Sequence, residues 1–468
     1  MAQCLVKRVG SMFKATIAVQ ANVGATITAT GNGKTFSAVA DSVTGIANII
    51  VKKKGTYTLN TDSTGKYDAN GNTSAVIVSK GKEIYAAQLV KLTHGYTTFK
   101  VTNEYASKTL LPYWTGALGS TLCNGNILEE IAADDTATKI YSGEGTSYTV
   151  NTSLTVTGYL ISNVASGTTK TYRLGAYITI NGKDFYGGYM TASSTAADYS
   201  SVLGWKAYKS TQTITVPKGC HSITAYCVGG GGGGGGTIKP QLKRTGTYDH
   251  SGGGGGGGGY VTSKTFVCIP GQNITITIGG GGGYGGWWAN GANGGTTTVK
   301  INNDAISASG GEGGRVGSPA NGNTNQDTML YVTGGNGGNG GSGGGAGCIG
   351  FGGNYYSINN SQGQGTAGGS NGSNAEAVSS SFHHPGVPGR GSGVSTNING
   401  TLYGAGGGGG SHIAKAGGNW GGGSGGCYGD GGHATANSGG GGGGSQGNTS
   451  GGRGGNGGSG VAIINFAA

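Results

Sequence analysis

The stretch Ser222–Gly236, SITAYCVGGGGGGGG, is an alternating strand that runs without a break into eight glycines. Eight more span Gly252–Gly259, and shorter runs begin at Gly279, Gly343, Gly406 and Gly439. Of the 110 glycines, 23 lie before Gly229, which leaves 87 in the last 240 residues. More than a third of that region has no side chain. It cannot bury an apolar core of the ordinary kind, and glycine loses more backbone entropy on ordering than any other residue. A flexible linker is the first reading of such composition. The far end argues against it. Gly460–Phe466, GVAIINF, is the only apolar run after Tyr331, and a short apolar strand needs a partner.

Working outward, Ile214 and Val216 share parity before a turn at Pro217-Lys218-Gly219. Strands are predicted over 260–269, 273–278, 296–301 and 305–308, with turns at Pro270-Gly271-Gln272 and Asn302-Asn303. The economical partner for the closing strand, 460–466, is this scaffold of residues 212–308. The glycine segments then become loops tied at both ends to one β structure. Polyglycine has an ordered option beside coil, a threefold extended helix of the polyproline II type, in which nine residues span about 28 Å. It has no internal hydrogen bonds, so each run must pair with neighbours, and only glycine lets backbones come that close.

Upstream, strands at spacings near ten residues, with a hairpin signal at Gly31-Asn32-Gly33, predict a small β-sandwich over residues 1–100. A second β-rich module is expected over 101–210, where Ile127–Ala132 fits a short helix or a strand. Glu129, Glu130, Asp134 and Asp135 form the one carboxylate cluster. With no histidine or calcium-loop spacing beside it, a solvated helix face outweighs a metal site. The fold class expected is all-β: N-terminal β-sandwich modules, then a β scaffold carrying a polyglycine II-type helix bundle in residues 211–468.

Charged residues are 10% of the chain, while tyrosine reaches 24 and tryptophan five, unlike a disordered tail. The net charge of +11 is spread thinly, with Lys52-Lys53-Lys54 the only basic cluster, so no nucleic-acid stripe is expected. No apolar run suits a signal peptide or a membrane span. Seven cysteines without paired spacing read as reduced and buried, with a bridge from Cys220 or Cys227 to Cys268 left open. G-x-G-x-x-G recurs only because glycine is everywhere, and no Walker lysine follows. No catalytic, metal or cofactor site is expected, and the chain reads as a non-enzyme.

GKTFSAVADSVTGIANIIVKKKGTYTLN, residues 33–60, resembles the Ig-like, carboxypeptidase-regulatory-type modules found in surface and phage structural proteins. The order hairpin, polyglycine, YVTSKTFVCIPGQNITITIGGGGG (260–283), further glycine and closing GGSGVAIINF (457–466) resembles the glycine-rich domains of bacteriophage tail-fibre and receptor-binding proteins. In such adhesins the resemblance implies a packed sandwich of glycine helices whose intervening loops contact the bacterial receptor. Here the intervening segments carry Tyr248, His250, Trp287, Trp288, Tyr355 and Tyr356, then Phe382, His383, Trp420 and Tyr428, set among Ser, Asn and Gly. That is the palette of rigid aromatic anchors and adaptable polar groups used in recognition surfaces. For Trp287 and Trp288 a lid over the bundle is an equal alternative.

The function expected is a virion protein, a tail-fibre or baseplate-associated adhesin. Its expected partners are other virion proteins through the N-terminal modules and a bacterial surface glycan or outer protein through the loops. Neither nucleic acid nor membrane insertion is expected, and a homotrimer is compatible. Capsid decoration is the first rival. An ice-binding glycine bundle is the second, and it predicts regular triplets where these runs read as irregular.

Overall fold

The computed structural model describes residues 13–21, 24–61, 74–77, 81, 84–89, 96–116, 125–180, 183–237, 250–319, 332–333, 335–345, 347, 349–350, 396–410, 421–426, 429–446 and 452–468. The fold is all-β, with several antiparallel sheets and no helix among the described residues. The chain divides into two compact units, residues 1–198 and 199–468.

In the first unit, one three-stranded sheet has the order Ile46–Val51, Ala15–Ala21, Ile84–Leu89, the last pairing being parallel. A four-stranded sheet has the order Lys34–Val39, Thr26–Gly31, Gly55–Thr61, Ser74–Ile77. Ile17, Val19, Ile49 and Val51 from the former share a core with Ile27, Tyr57 and Leu59 from the latter. The Thr26–Val39 hairpin turns through Asn32 and Gly33 with φ of 52° and 66°, a left-handed pair that these two residues tolerate best. The Asn32 amide also donates to Lys54 O and Tyr57 Oη, at 3.0 and 3.1 Å, which ties the turn to the next strand.

A separate core in the same unit gathers Phe99, Leu110, Trp114, Leu128, Tyr172 and Leu174. The segment that fits helix or strand from sequence is the strand Gly125–Ile131, paired on both sides. Its carboxylates do not form a solvated helix face. Glu129 accepts a bond from Arg173 Nε at 2.7 Å and Glu130 pairs with Lys170, both across strands, while Asp134 accepts the Thr136 N–H at 3.0 Å in the following turn. Cross-strand charge pairing of this kind favours the strand over the helix. Among the described residues, no group of three or more His, Cys, Asp or Glu side chains is placed to hold a metal ion.

In the second unit two four-stranded antiparallel sheets face each other. One has the order Gly204–Tyr208, Val461–Ala467, Ser222–Val228, Val261–Val267. The other has Gln212–Thr215, Asn273–Thr277, Thr297–Ile301, Asp304–Ala308. Ile223, Ala225, Phe266, Ile274, Ile276, Val299, Ile464 and Phe466 fill the space between them. The closing strand is an inner strand, bonded on both edges. Its outer neighbour Gly204–Tyr208 is patterned half-buried and half-exposed, which is why sequence alone leaves it in the preceding module. Cys220, Cys227 and Cys268 are buried free thiols. Cys220 Sγ lies 3.9 Å from Cys268 Sγ, whereas Cys227 Sγ faces Ile306 O at 3.7 Å, and burial pushes the Cys227 thiol up to about 12.

From these strand ends the glycine runs extend. They are neither strand nor helix, and the runs 229–237, 252–259, 404–410 and 439–446 are buried throughout. Their hydrogen bonds have a period of three. The N–H groups of Gly232, Gly233 and Gly234 donate to Gly257, Ala292 and Gly455, each at 2.8 Å, and so to three different runs. One turn earlier, Gly229, Gly230 and Gly231 donate to Tyr260, Gly295 and Gly458 of the same three. The falling partner numbers make those neighbours antiparallel. The carbonyls of Gly232, Gly233 and Gly234 accept from Gly442, Gly314 and Gly285, three further runs, at 2.8 Å. The central run is therefore enclosed by six others, and every peptide group in that triplet is paired. A Cβ on Gly232, Gly233 or Gly234 would lie 1.9, 2.0 or 1.9 Å from a backbone oxygen of a neighbouring run, so no side chain fits there. Backbone pairing replaces the apolar core that this composition cannot supply.

Candidate recognition surface

The runs have two ends. Val228 leads into Gly229 at the scaffold end, and Thr237 marks the other, where it donates to Gly452 O at 3.3 Å. Pairing carries the remaining runs to the same two levels. Arg315 receives Gly254 N–H, Gly410 donates to Gly253 O, Gly426 donates to Gly444 O, and Gln446 donates to Gly429 O, all at the end away from the sheets. Two short pairings, His250–Ser251 with Ile349–Gly350 and Ser318–Pro319 with Val332–Thr333, lie beyond the runs there. The segments 238–249, 320–331, 351–395, 411–420, 427–428 and 447–451 each depart from described residues at this end. Segments 351–395 and 411–420 rejoin described chain at the scaffold end, where Ile398 and Tyr403 pack with Val228, Val461 and Ile463.

His250 belongs to one of those short strands. Tyr248, Tyr355, Tyr356, Phe382, His383, Trp420 and Tyr428 lie outside the described residues. Trp287 and Trp288 form the turn that links the runs 279–286 and 289–295, and they are 48% and 53% exposed. Trp288 is held at φ 62°, and its N–H donates to Thr237 O at 3.2 Å. Most non-glycine residues at positive φ here are Asn, which accept that region, whereas a bulky side chain there costs about 1–2 kcal/mol. Trp288→Asn should therefore leave the melting temperature unchanged or slightly raised. A fall of more than about 5 °C would instead make Trp288 part of the lid.

Sequence reasoning passed over a second set of side chains, on the flank of the bundle. Run 279–286 carries Tyr284, run 452–460 carries Arg453 and Asn456, and run 429–434 carries Asp430 and His433; all five are exposed. Tyr284 N–H donates to Asn456 Oδ1 at 2.9 Å, and the Arg453 guanidinium stands 5.9 Å from the Tyr284 ring centre. Arg453 N–H donates to Asp430 Oδ1 at 2.7 Å, and Asn456 N–H to His433 Nδ1 at 2.9 Å. The signal that could have found them is a spacing of three. Arg453, Asn456 and Ser459 stand in R-G-G-N-G-G-S, Asp430 and His433 in D-G-G-H, and Glu312 and Arg315 in E-G-G-R. Runs of X-G-G triplets such as 429–434 and 452–460 lie on the outside, and so does the pure-glycine run 279–283, whose Gly280, Gly281 and Gly283 are exposed, whereas the pure-glycine runs 229–236, 252–259, 406–410 and 439–444 are enclosed.

The glycine-rich domain family matches residues 206–467, more than half of the chain, and the protein belongs to that family. No curated protein matches the sequence.

Proposed function

We propose that this chain is a structural protein of a bacteriophage virion, a tail-fibre or baseplate-associated adhesin that recognises the host cell surface and performs no catalysis. The observation that supports this reading best is the display geometry. One end of the glycine bundle continues into the strands of a packed β scaffold, and long connecting segments leave the other. The glycine runs act as helices of the polyglycine II type, a reading favoured by their period-three bonding, and they serve as a rigid stem. The N-terminal β modules attach to other virion proteins, and the segments beyond the stem contact a bacterial surface glycan or outer protein. The chain is assembled in the host cytoplasm and released with the particle by lysis.

Replacing residues 370–395 by a glycine-serine linker of equal length tests the assignment. Particles carrying this protein should lose adsorption to their host while still incorporating the chain; unchanged adsorption overturns the adhesin reading. The replacement stops before Thr396 because Ile398 and Tyr403 belong to the scaffold-end cluster with Val228 and Val461. Antibody labelling of intact particles separates a tail position from capsid decoration.

A further inference from the structure

We infer that the flank formed by Tyr284, Arg453, Asn456, Asp430 and His433 is a binding surface for neutral saccharide, made of residues other than the connecting segments on which the adhesin reading rests. Three adjacent runs contribute to it. Their neighbour relations are carried by the backbone: Gly454 and Gly457 donate to Gly285 and Gly282, while Gly431 and Ala434 donate to Arg453 and Asn456. Side chains at a spacing of three therefore stand side by side on a wall whose backbone is held from behind.

The polar heads are oriented before any ligand arrives. Asn456 Oδ1, Asp430 Oδ1 and His433 Nδ1 each accept a backbone N–H from the next run, at 2.9, 2.7 and 2.9 Å. Those bonds commit one atom of each group and leave Asn456 Nδ2 as a donor, Asp430 Oδ2 as an acceptor and His433 Nε2 as a donor in the matching tautomer. The exposed Arg453 guanidinium adds further donors to these three held groups, and one strong acceptor, Asp430 Oδ2, stands among them beside a tyrosine that is 43% exposed.

The chemistry selects the ligand class. Arg453 and Asp430 cancel in formal charge, so the wall offers no net field for a phosphate chain or an acidic peptide. Glycine on either side of each head leaves no deep apolar pocket for a side-chain anchor. A polyhydroxylated ring fits what remains, because its hydroxyls both donate and accept and its C–H face stacks on an aromatic ring. Preorganised groups lose little rotamer entropy on binding, which favours recognition by a few contacts repeated along a chain of sugars.

The test uses the purified full-length protein, with maltohexaose and cellohexaose as neutral probes and heparin as an anionic one, followed by saturation-transfer NMR and calorimetry. At least one neutral hexasaccharide should bind saturably at millimolar concentration or below. Tyr284→Ala and Arg453→Ala should each weaken it by about tenfold or more, at an unchanged melting temperature. The variant in which residues 370–395 are replaced should bind as the unaltered protein does, so a failure of the adhesin reading and a failure of this one are distinguishable. Absence of saturable binding by both neutral probes overturns the inference. So does binding that neither substitution affects, or a preference for heparin.

Discussion

Gly232→Ala is expected to destabilise the glycine-rich unit by at least about 3 kcal/mol, a fall in melting temperature of roughly 6–12 °C, or to remove the protein from the soluble fraction. The added methyl would lie 1.9 Å from Glu312 O and 2.3 Å from Glu312 C, both backbone atoms that cannot swing aside as a side chain end would. Moving that run outward would break the bond from Gly257 N–H to Glu312 O, 2.9 Å long, and leave buried peptide groups unpaired at about 1–3 kcal/mol each. Gly283→Ala is the matched comparison. Its Cβ would meet nothing within 4 Å, and no positive φ stands in the way, so reduced unfolded-state freedom should leave stability unchanged or raised by up to about 1 kcal/mol. Thermal unfolding of both variants checks this. Equal effects would mean that glycine is needed for chain flexibility and that close packing of the runs is not the reason.

Truncation after Gly460 should have the larger effect of the two. The missing strand Val461–Ala467 is bonded to Gly204–Tyr208 on one side and to Ser222–Val228 on the other, so its loss splits the sheet. Val461, Ala462, Ile464 and Phe466 are 1%, 0%, 0% and 3% exposed, and without them Ile223, Ala225 and Phe266 lose their cover. A single Ile464→Ala substitution should already cost about 2–5 kcal/mol by leaving a cavity between the sheets. The full truncation should abolish cooperative unfolding of residues 199–468, and limited proteolysis should then leave a fragment ending near Asp198. A truncated chain that melts like the parent would mean that the glycine runs hold together without the scaffold.

Much of this architecture is legible before any coordinates. The Gly31-Asn32-Gly33 hairpin follows from the residue types that tolerate its φ angles best. The apolar alternation in 214–228 and 260–308 marks strands that share one core. The segment 127–132 is ambiguous because Ile127-Leu128 followed by two glutamates satisfies both periods; Arg173 and Lys170, 44 and 40 positions from the glutamates they pair with, decide it. Trp287 could be singled out as an aromatic in a glycine-rich segment. The strain at Trp288 could not, since φ is set by the turn that the two flanking runs impose.

Glycine content alone establishes that the glycine runs within residues 229–468 cannot be held by side chains, and the apolar segment at the far end establishes that something must receive it. A side chain at every third position leaves two faces free to pack, so X-G-G triplets mark outer runs, but an outer run of pure glycine such as 279–283 carries no such mark. What packing alone decides is which runs are neighbours. Glycine pairs with glycine equally well in any register, so the partners of Gly232 are chosen by the strands from which runs such as 229–236 and 252–259 continue at the scaffold end. The wall of Tyr284, Arg453, Asn456, Asp430 and His433 exists for the same reason: residues remote in sequence become adjacent only once the scaffold has aligned the runs that carry them.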